Sequence, residues 1–417
     1  MNNGLADSDG EAAHPMASNP AQTNLAISWE DSRARHRDIL HVGNFRTDSV
    51  AVSIPGDLAQ RMRSLNTGEA FSTHAEAGQI TGTWSVSRLV EYPPAAFDHQ
   101  PVRGLGVQPR VGRFYPQGLF AGAEEIAGEP SLPARITCMH GETMEVDLNH
   151  PLSRYPIDLE LRIDALLPES NRRSGPIGDP LHALLQYPGM AAPLLSGEYT
   201  DFGDRDEGLS RTDSAADGIF YQIPRLVQHL DSRALETISS LYAEILPAGA
   251  EVLDLMGSHD SHLAASSPRS LTVLGMNITE LEVNSLADQR LVHDLNTSPA
   301  TSLRSEAFDA VVCTASIEYL VNPAAVIAEV RRVLRHGGVF AVTFSNRWFP
   351  TKAIRIWSEL HDFERLGMVT QWLHSAGFTG LKTLSSRGWP RPADDIYAQQ
   401  IALSDPVFAV SGYKPSD

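Results

Sequence analysis

Cysteine is scarce in this chain: there are two among 417 residues, Cys138 and Cys313. They lie far apart in sequence, which excludes a disulfide framework and a zinc site built from cysteines. Positive charge is also short, with 33 Lys and Arg against 51 Asp and Glu and a net charge of −18. An acidic surface repels phosphate backbones and anionic membranes, and no Lys/Arg-rich block relieves it. No nucleic-acid or membrane partner is therefore expected. No apolar run approaches the length of a bilayer span. The N-terminal MNNGLADSDGEAAHPMASNPAQTN has neither a basic start nor an apolar core, so it does not read as a signal peptide. These absences leave an expected cytoplasmic protein, 42% hydrophobic and long enough for two or three domains.

What is present divides into four regions. Residues 1–38 read as a disordered tail. Residues 39–166 alternate short β-like segments with Pro/Gly punctuation, among them TWSVSRLVEYPP, ARITCMHG, TMEVDLNHPL and IDLELRIDAL, the last with period-two alternation. One amphipathic helix, Gly56–Leu65, stands among them, with Leu58, Met62 and Leu65 on one face. Residues 167–216 are polar and loop-rich, a linker or an active-site cover, whose apolar knot Tyr187-Pro188-Gly189-Met190 should dock on a neighbour. From 217 to 417 helix and strand alternate, the mark of an α/β sheet.

In this last region Asp231-Ser232 can cap a helix to about Leu246, and strands are expected at Val252–Met256, Leu271–Met276, Arg290–His293, Phe308–Thr314 and Val339–Phe344. The stretch EVLDLMGSHDSHL (251–263) stands out. A buried strand runs into Gly257-Ser258 and then a second apolar segment, which places backbone N–H groups at the carboxyl edge of a sheet. His259-Asp260-Ser261-His262 has the spacing of two metal ligands but no third, so no metal is expected.

The strand–turn–strand order of 217–417 resembles class I S-adenosylmethionine (SAM) methyltransferases, whose first-strand motif hhDhGxGxG is represented here with one glycine, Gly257. GIFYQIPRLVQHLD, LDLMGSHDSHL and TFSNRWFPTKA are similar to a sub-family carrying FYxxPRxVxHxD, LDLMSSxxSHL and SFSNRxFPxKA. The resemblance implies a Rossmann-like, seven-stranded domain that binds SAM. It implies a cofactor set of Asp254, Met256, Gly257, Ser258, Glu280 with Asn277 assisting, Asp294, Leu295 and Ser316. Candidates around the reacting centre are His229, Asp231, His259, His262 and Glu318 as bases and Tyr221, Arg225, Tyr319, Asn346 and Arg347 as positioners, with Ser316 facing the transfer centre. No residue stands out as a dedicated base, which favours an acceptor that ionises readily, such as a small thiol or sulfide. A small-molecule acceptor is expected and a protein acceptor is the alternative; the sequence sets no oligomeric state.

Residues 39–166 resemble FKBP-type prolyl isomerases with an inserted flap, through IPGDLAQRMRSLNTGE (54–69), VEYPPAAF (90–97) and MEVDLNHPL (144–152). That resemblance implies an aromatic pocket from Phe97, Trp84, Phe71 and Ile54. It leaves open an active isomerase, with the SAM domain as a sensor, or a β domain kept for docking.

Overall fold

The computed structural model describes residues 20–45, 64–99, 107–120, 130–167, 179–203 and 207–416. In chain order the first strands are β1 (Ala21–Glu30), β2 (Ala34–Phe45), β3 (Ala70–Ala75), β4 (Leu89–Tyr92), β5 (Phe114–Pro116), β6 (Pro133–His140), β7 (Thr143–Asp147) and β8 (Ile157–Leu166). Helices α1 (Pro180–Leu185), α2 (Asp217–Phe220) and α3 (Ser232–Ile245) follow. The C-terminal half runs β9 (Glu251–Leu255), β10 (Ser270–Gly275), α4 (Ile278–Val283), β11 (Gln289–Val292), β12 (Phe308–Thr314), α5 (Pro323–Val333) and β13 (Leu334–Phe344). It closes with α6 (Arg355–Glu359), α7 (Asp362–Ser375), β14 (Thr379–Arg387) and β15 (Val407–Tyr413).

The α/β half forms as its sequence dictates. Asp231 caps α3 by accepting from the Ala234 N–H, and Ala234, Ile238, Leu241 and Tyr242 make its buried stripe. Alternate residues of β9 then feed opposite faces: Val252 packs with Ile238 and Tyr242, whereas Leu253 and Leu255 join the core that holds α5 and α7. Strands β9 to β13 are parallel in the order β11-β10-β9-β12-β13, and β15 runs antiparallel between β13 and β14. The order reverses between β9 and β12, which opens a crevice beyond their carboxyl ends, where doubly wound sheets bind ligands.

Two expectations need correction. The seven strands β9–β15 are present, but the sheet has eleven, because β14 pairs in parallel with β2, from Leu381 opposite Ala34 to Arg387 opposite Leu40. Beyond β2 the order continues β1-β8-β3. Residues 21–38, expected as the end of a tail, therefore hold β1 and the start of β2, both in the interior of the sheet. The region 39–166 is likewise divided between two sheets. β3 and β8 belong to the long one, and β4-β7-β6-β5 form a separate antiparallel sheet.

Among the described residues the aromatic pocket expected there does not assemble. Phe97 packs edge-on against Tyr115 and Phe120 in the small sheet, with ring centroids at 5.0 and 5.6 Å. Phe71 borders the core of the long sheet instead, and Trp84 lies under the Arg154 guanidinium at 3.7 Å. Ile54 and most of the helix expected at Gly56–Leu65 lie outside the described residues. The knot at Tyr187–Met190 does dock: Met190 is buried in the α/β core, and the Tyr187 ring meets that of His361 at 4.3 Å.

Candidate active site

The crevice between β9 and β12 is a cavity of about 180 Å³. Its floor is the end of β9. Asp254 shares the face of Val252, is 1% exposed, and leaves its Oδ2 without a hydrogen-bond partner. Burial, eased by the Ser261 hydroxyl and His262, pushes the Asp254 carboxyl up to about 7. The next residue but one must bend sharply, and Met256 does so with φ +62°. A left-handed non-glycine residue costs roughly 1–2 kcal/mol, and such strain gathers at functional sites. Gly257 follows for a steric reason, since a Cβ there would lie 2.3 Å from Asp254 Oδ2. Gly275, at the end of β10, is required in turn, because its Cβ would meet the Gly257 carbonyl at 2.3 Å. Ala315, after β12, is also left-handed, at φ +46°.

Around this floor the structure gathers Tyr221, Arg225, His229, Met256, Gly257, Ser258, His259, His262, Glu280, Asp294, Leu295, Ser316 and Tyr319. Glu280, on α4, accepts from the Ser258 hydroxyl at 2.6 Å and from the Arg225 backbone N–H at 2.7 Å. Asp294 Oδ1 accepts from the Asn296 N–H at 2.9 Å and its Oδ2 from the Thr297 hydroxyl at 2.7 Å, so it also shapes the turn after β11. Ser316 donates to the Thr314 carbonyl at 2.8 Å. His262 pairs with Asp260 at 3.3 Å. Among the described residues no group of three or more His, Cys, Asp or Glu is arranged to hold a metal ion.

The roof is a strap, residues 213–231, pinned from several sides. Lys352, fully buried, pairs with Asp213 at 3.1 Å and Asp217 at 3.2 Å. Arg211 and Asn296 also bond Asp217, at 2.9 and 2.8 Å. Burial opposes the charge on Asp217, but these donors hold its carboxyl below the ordinary range. Gln228 bonds Asp260 at 2.9 Å. Burial pushes the Tyr221 phenol up, with Asp217 and Glu318 adding to it, so Tyr221 stays protonated and can donate but not act as a base. His229 lies edge-on to Phe349 at 5.2 Å. Burial and Arg225 hold its imidazole below the ordinary pKa, which keeps it neutral.

Five expected site residues do not line the cavity. Asp231 is the α3 cap, 3% exposed, and pairs with Arg391 while accepting from Ser404. Asn277 caps α4 through Oδ1 and spends Nδ2 on the carbonyls of Tyr221 and Gln222, at 2.9 and 3.1 Å. Glu318 is wholly buried behind Tyr319 with both oxygens unpartnered, and burial pushes it up to about 7. Arg347 pairs with Asp405 at 3.5 Å and covers the Tyr397 ring. Asn346 borders a different cavity. Conversely, the sequence reading passed over Asp217, Asn296, Phe349 and Lys352. The last two stand inside the quoted TFSNRWFPTKA and Asn296 beside Asp294-Leu295, but a motif string does not say which member faces the pocket.

The pocket fits the cofactor that such a sheet implies. It offers a buried carboxyl with one oxygen unpartnered, a glycine step against it, a second acid on α4 and an apolar wall at Met256 and Leu295. Comparison with known proteins agrees in kind. Residues 256–342, which span the ends of β9 through β13, match the family described as Methyltransferase domain. No curated protein matches the chain. Among solved structures it is similar to a SAM-dependent methyltransferase from Archaeoglobus fulgidus, at 11% identity over 43% of this chain and 94% of that one, with a TM-score of 0.32. One from Mesorhizobium loti shares 14% identity over 43% of this chain and 99% of that one, at a TM-score of 0.31. An arsenic(III) S-adenosylmethionine methyltransferase from Chlamydomonas reinhardtii shares 17% over 44% and 73%, at 0.29. The family match falls on the strand ends that build the cavity.

Proposed function

We propose that the chain is a SAM-dependent methyltransferase that methylates a small-molecule acceptor under the 213–231 strap. The observation that carries this is the unpartnered Asp254 Oδ2 beneath Gly257, at the bottom of a cavity roofed by that strap. SAM supplies an electrophilic methyl group on a sulfonium. Asp254 would hold the ammonium of its methionine portion, Glu280 its ribose hydroxyls, and Asp294 with Leu295 its adenine. The protein's own work is alignment and exclusion of water, because in-line displacement needs little else. Neutral His229 faces the same space, as does His259, and His229 can take a proton from an acceptor that carries one. A small thiol or sulfide needs that help least. The absence of a base, which favoured it from sequence, no longer restricts the choice once His229 stands in the pocket.

The FKBP-type reading of the N-terminal region would make that region an accessory to this activity. The rival readings, a SAM-sensing isomerase and a methyltransferase recruited to proline-containing proteins, are decided by the same experiment. Lysate incubated with the enzyme and labelled SAM should yield label in the small-molecule fraction. Label confined to protein would reject the proposal, and absence of SAM binding at high micromolar concentration would remove the cofactor assignment.

A further inference from the structure

A second cavity, of about 470 Å³, lies behind the loop that follows β13. Small-molecule sites commonly enclose roughly 300–1,000 Å³ and favour domain junctions. This one is walled by Phe114 and Tyr115 of the small sheet, Tyr187 and Met190 of the connector, Trp348 of the loop, and His361 before α7. The carboxylates on its border are already matched. Glu364 accepts from Arg113 Nε at 3.0 Å and from the Phe114 N–H at 2.9 Å, Glu359 pairs with Arg355 at 3.1 Å, and Asp362 pairs with Arg365. Burial holds His361 below its ordinary pKa, so it too is neutral.

Among the described residues that line it, one buried polar group is left over. Trp348 Nε1 is buried and makes no hydrogen bond, while Arg365 covers its ring at 4.3 Å. A buried N–H without a partner calls for a reason, and an aromatic chamber with balanced charge supplies one: an occupant that brings the acceptor. We propose that this chamber binds a neutral aromatic small molecule whose hydrogen-bond acceptor engages Trp348 Nε1 and whose ring rests among Phe114, Tyr187 and Trp348. Asn346, placed by sequence at the reacting centre, borders this chamber instead. Trp348 is adjacent to Phe349, which lines the cofactor cavity, so the occupant sits one residue from the wall of that site. The proposal does not depend on the identity of the methyl acceptor.

Quinoline, a flat neutral ring with one acceptor nitrogen, is the probe. In full-length protein labelled with 15N-tryptophan there are six tryptophans, and the indole resonance lost in Trp348→Phe identifies Trp348. On titration with quinoline that resonance should move downfield and saturate below about 1 mM. Trp348→Phe keeps an aromatic ring and loses the donor, and should weaken quinoline binding by about tenfold. Ser358→Trp projects from α6 into the chamber and should remove the shift. Its circular dichroism and SAM affinity report separately that the fold and the cofactor site are intact. No shift at about 5 mM quinoline, a shift confined to other tryptophans, or equal affinity in wild type and Trp348→Phe would overturn the proposal. SAM binding measured on the same samples tests the methyltransferase assignment independently.

Discussion

The seam between β14 and β2 and the crevice between β9 and β12 each bury a carboxylate in one continuous sheet, and they treat it in opposite ways. At the seam, Asp38 is 2% exposed and accepts from Trp29 Nε1 at 3.0 Å and from the Ser385 hydroxyl at 2.8 Å. Beside it, His36 bonds Asp31 at 3.1 Å and contacts the Thr383 hydroxyl at 2.8 Å, with its ring stacked on Trp29 at 3.7 Å. The protein answers these carboxylate and imidazole groups from within. In the crevice, Asp254 is as buried, yet Oδ2 receives nothing. A buried polar group costs little when paired and several kcal/mol when not. The seam uses polarity to fix a register, whereas the crevice leaves it open for something that arrives.

Exchanging the two carboxylates for alanine should break this contrast most visibly. Asp254→Ala should lower SAM affinity by at least about 100-fold, the worth of a charged hydrogen bond, while leaving thermal stability at pH 8 equal or higher. Asp38→Ala strands two buried donors and should cost about 2–4 kcal/mol of stability, with SAM affinity of the folded protein unchanged. Isothermal titration and denaturant melts read both. An Asp254→Ala protein that binds SAM like wild type would remove the cofactor from this crevice.

The same contrast explains what the sequence could and could not disclose. β12 spans Phe308–Thr314 as its apolar run indicates, and β9, β10, β11 and β13 begin or end within a few residues of expectation. All of these but the exposed edge strand β11 carry buried apolar residues on both faces, and that pattern is local. β1 and β2 are just as interior, but Thr23, Asn24, His36, Asp38 and His41 are buried along them. Buried polar residues erase the apolar period that marks a strand, and Thr383 and Ser385, the partners of His36 and Asp38, lie some 347 positions away. Pairing at that separation leaves no trace in a local window, so residues 21–38 read as a tail. In the crevice the strand-end residues were legible from their motif, whereas the strap's pins, Asp217 and Lys352, were not, because they act through each other.

Titration should sharpen the comparison with a smaller effect. Glu318 and Asp254 are raised by burial from 4.5 and 3.8 to about 7. A raised carboxyl binds its proton more tightly in the folded state. It therefore costs nothing below its unfolded pKa and progressively destabilises as pH climbs to about 7, with a plateau above. Depressed histidines such as His229 act in the opposite sense between their folded pKa and 6.5, so the whole-protein curve mixes signs. The difference between Glu318→Gln and wild type isolates the carboxyl. It should be near zero at pH 4.5 and rise to a stabilisation on the order of 2–3 kcal/mol above pH 7. A flat difference would mean that Glu318 has a partner in solution.

Glu280→Ala should come next. Glu280 already holds Ser258 and the Arg225 backbone in the free protein, so removing it loosens the strap as well as one cofactor contact. A loss of SAM affinity of about tenfold is expected by titration. A loss as great as that of Asp254→Ala would mean that Glu280, not Asp254, dominates recognition.

Asn277→Ala should give the smallest change, and it decides between sequence and structure most cleanly. By resemblance Asn277 assists in holding the ribose. In the fold its Oδ1 caps α4 through Thr279 and its Nδ2 holds the carbonyls of Tyr221 and Gln222. A lost cap costs about 1 kcal/mol, so the melting temperature should drop by a few degrees. Hydrogen exchange in peptides covering 217–230 should quicken, because the strap loses one of its pins. SAM affinity should stay within about threefold, since no cofactor contact is removed. If affinity instead falls as far as in Glu280→Ala while exchange in the strap is unchanged, Asn277 turns toward the cofactor when it binds. The capping bonds of the free protein would then be a resting arrangement that the cofactor displaces.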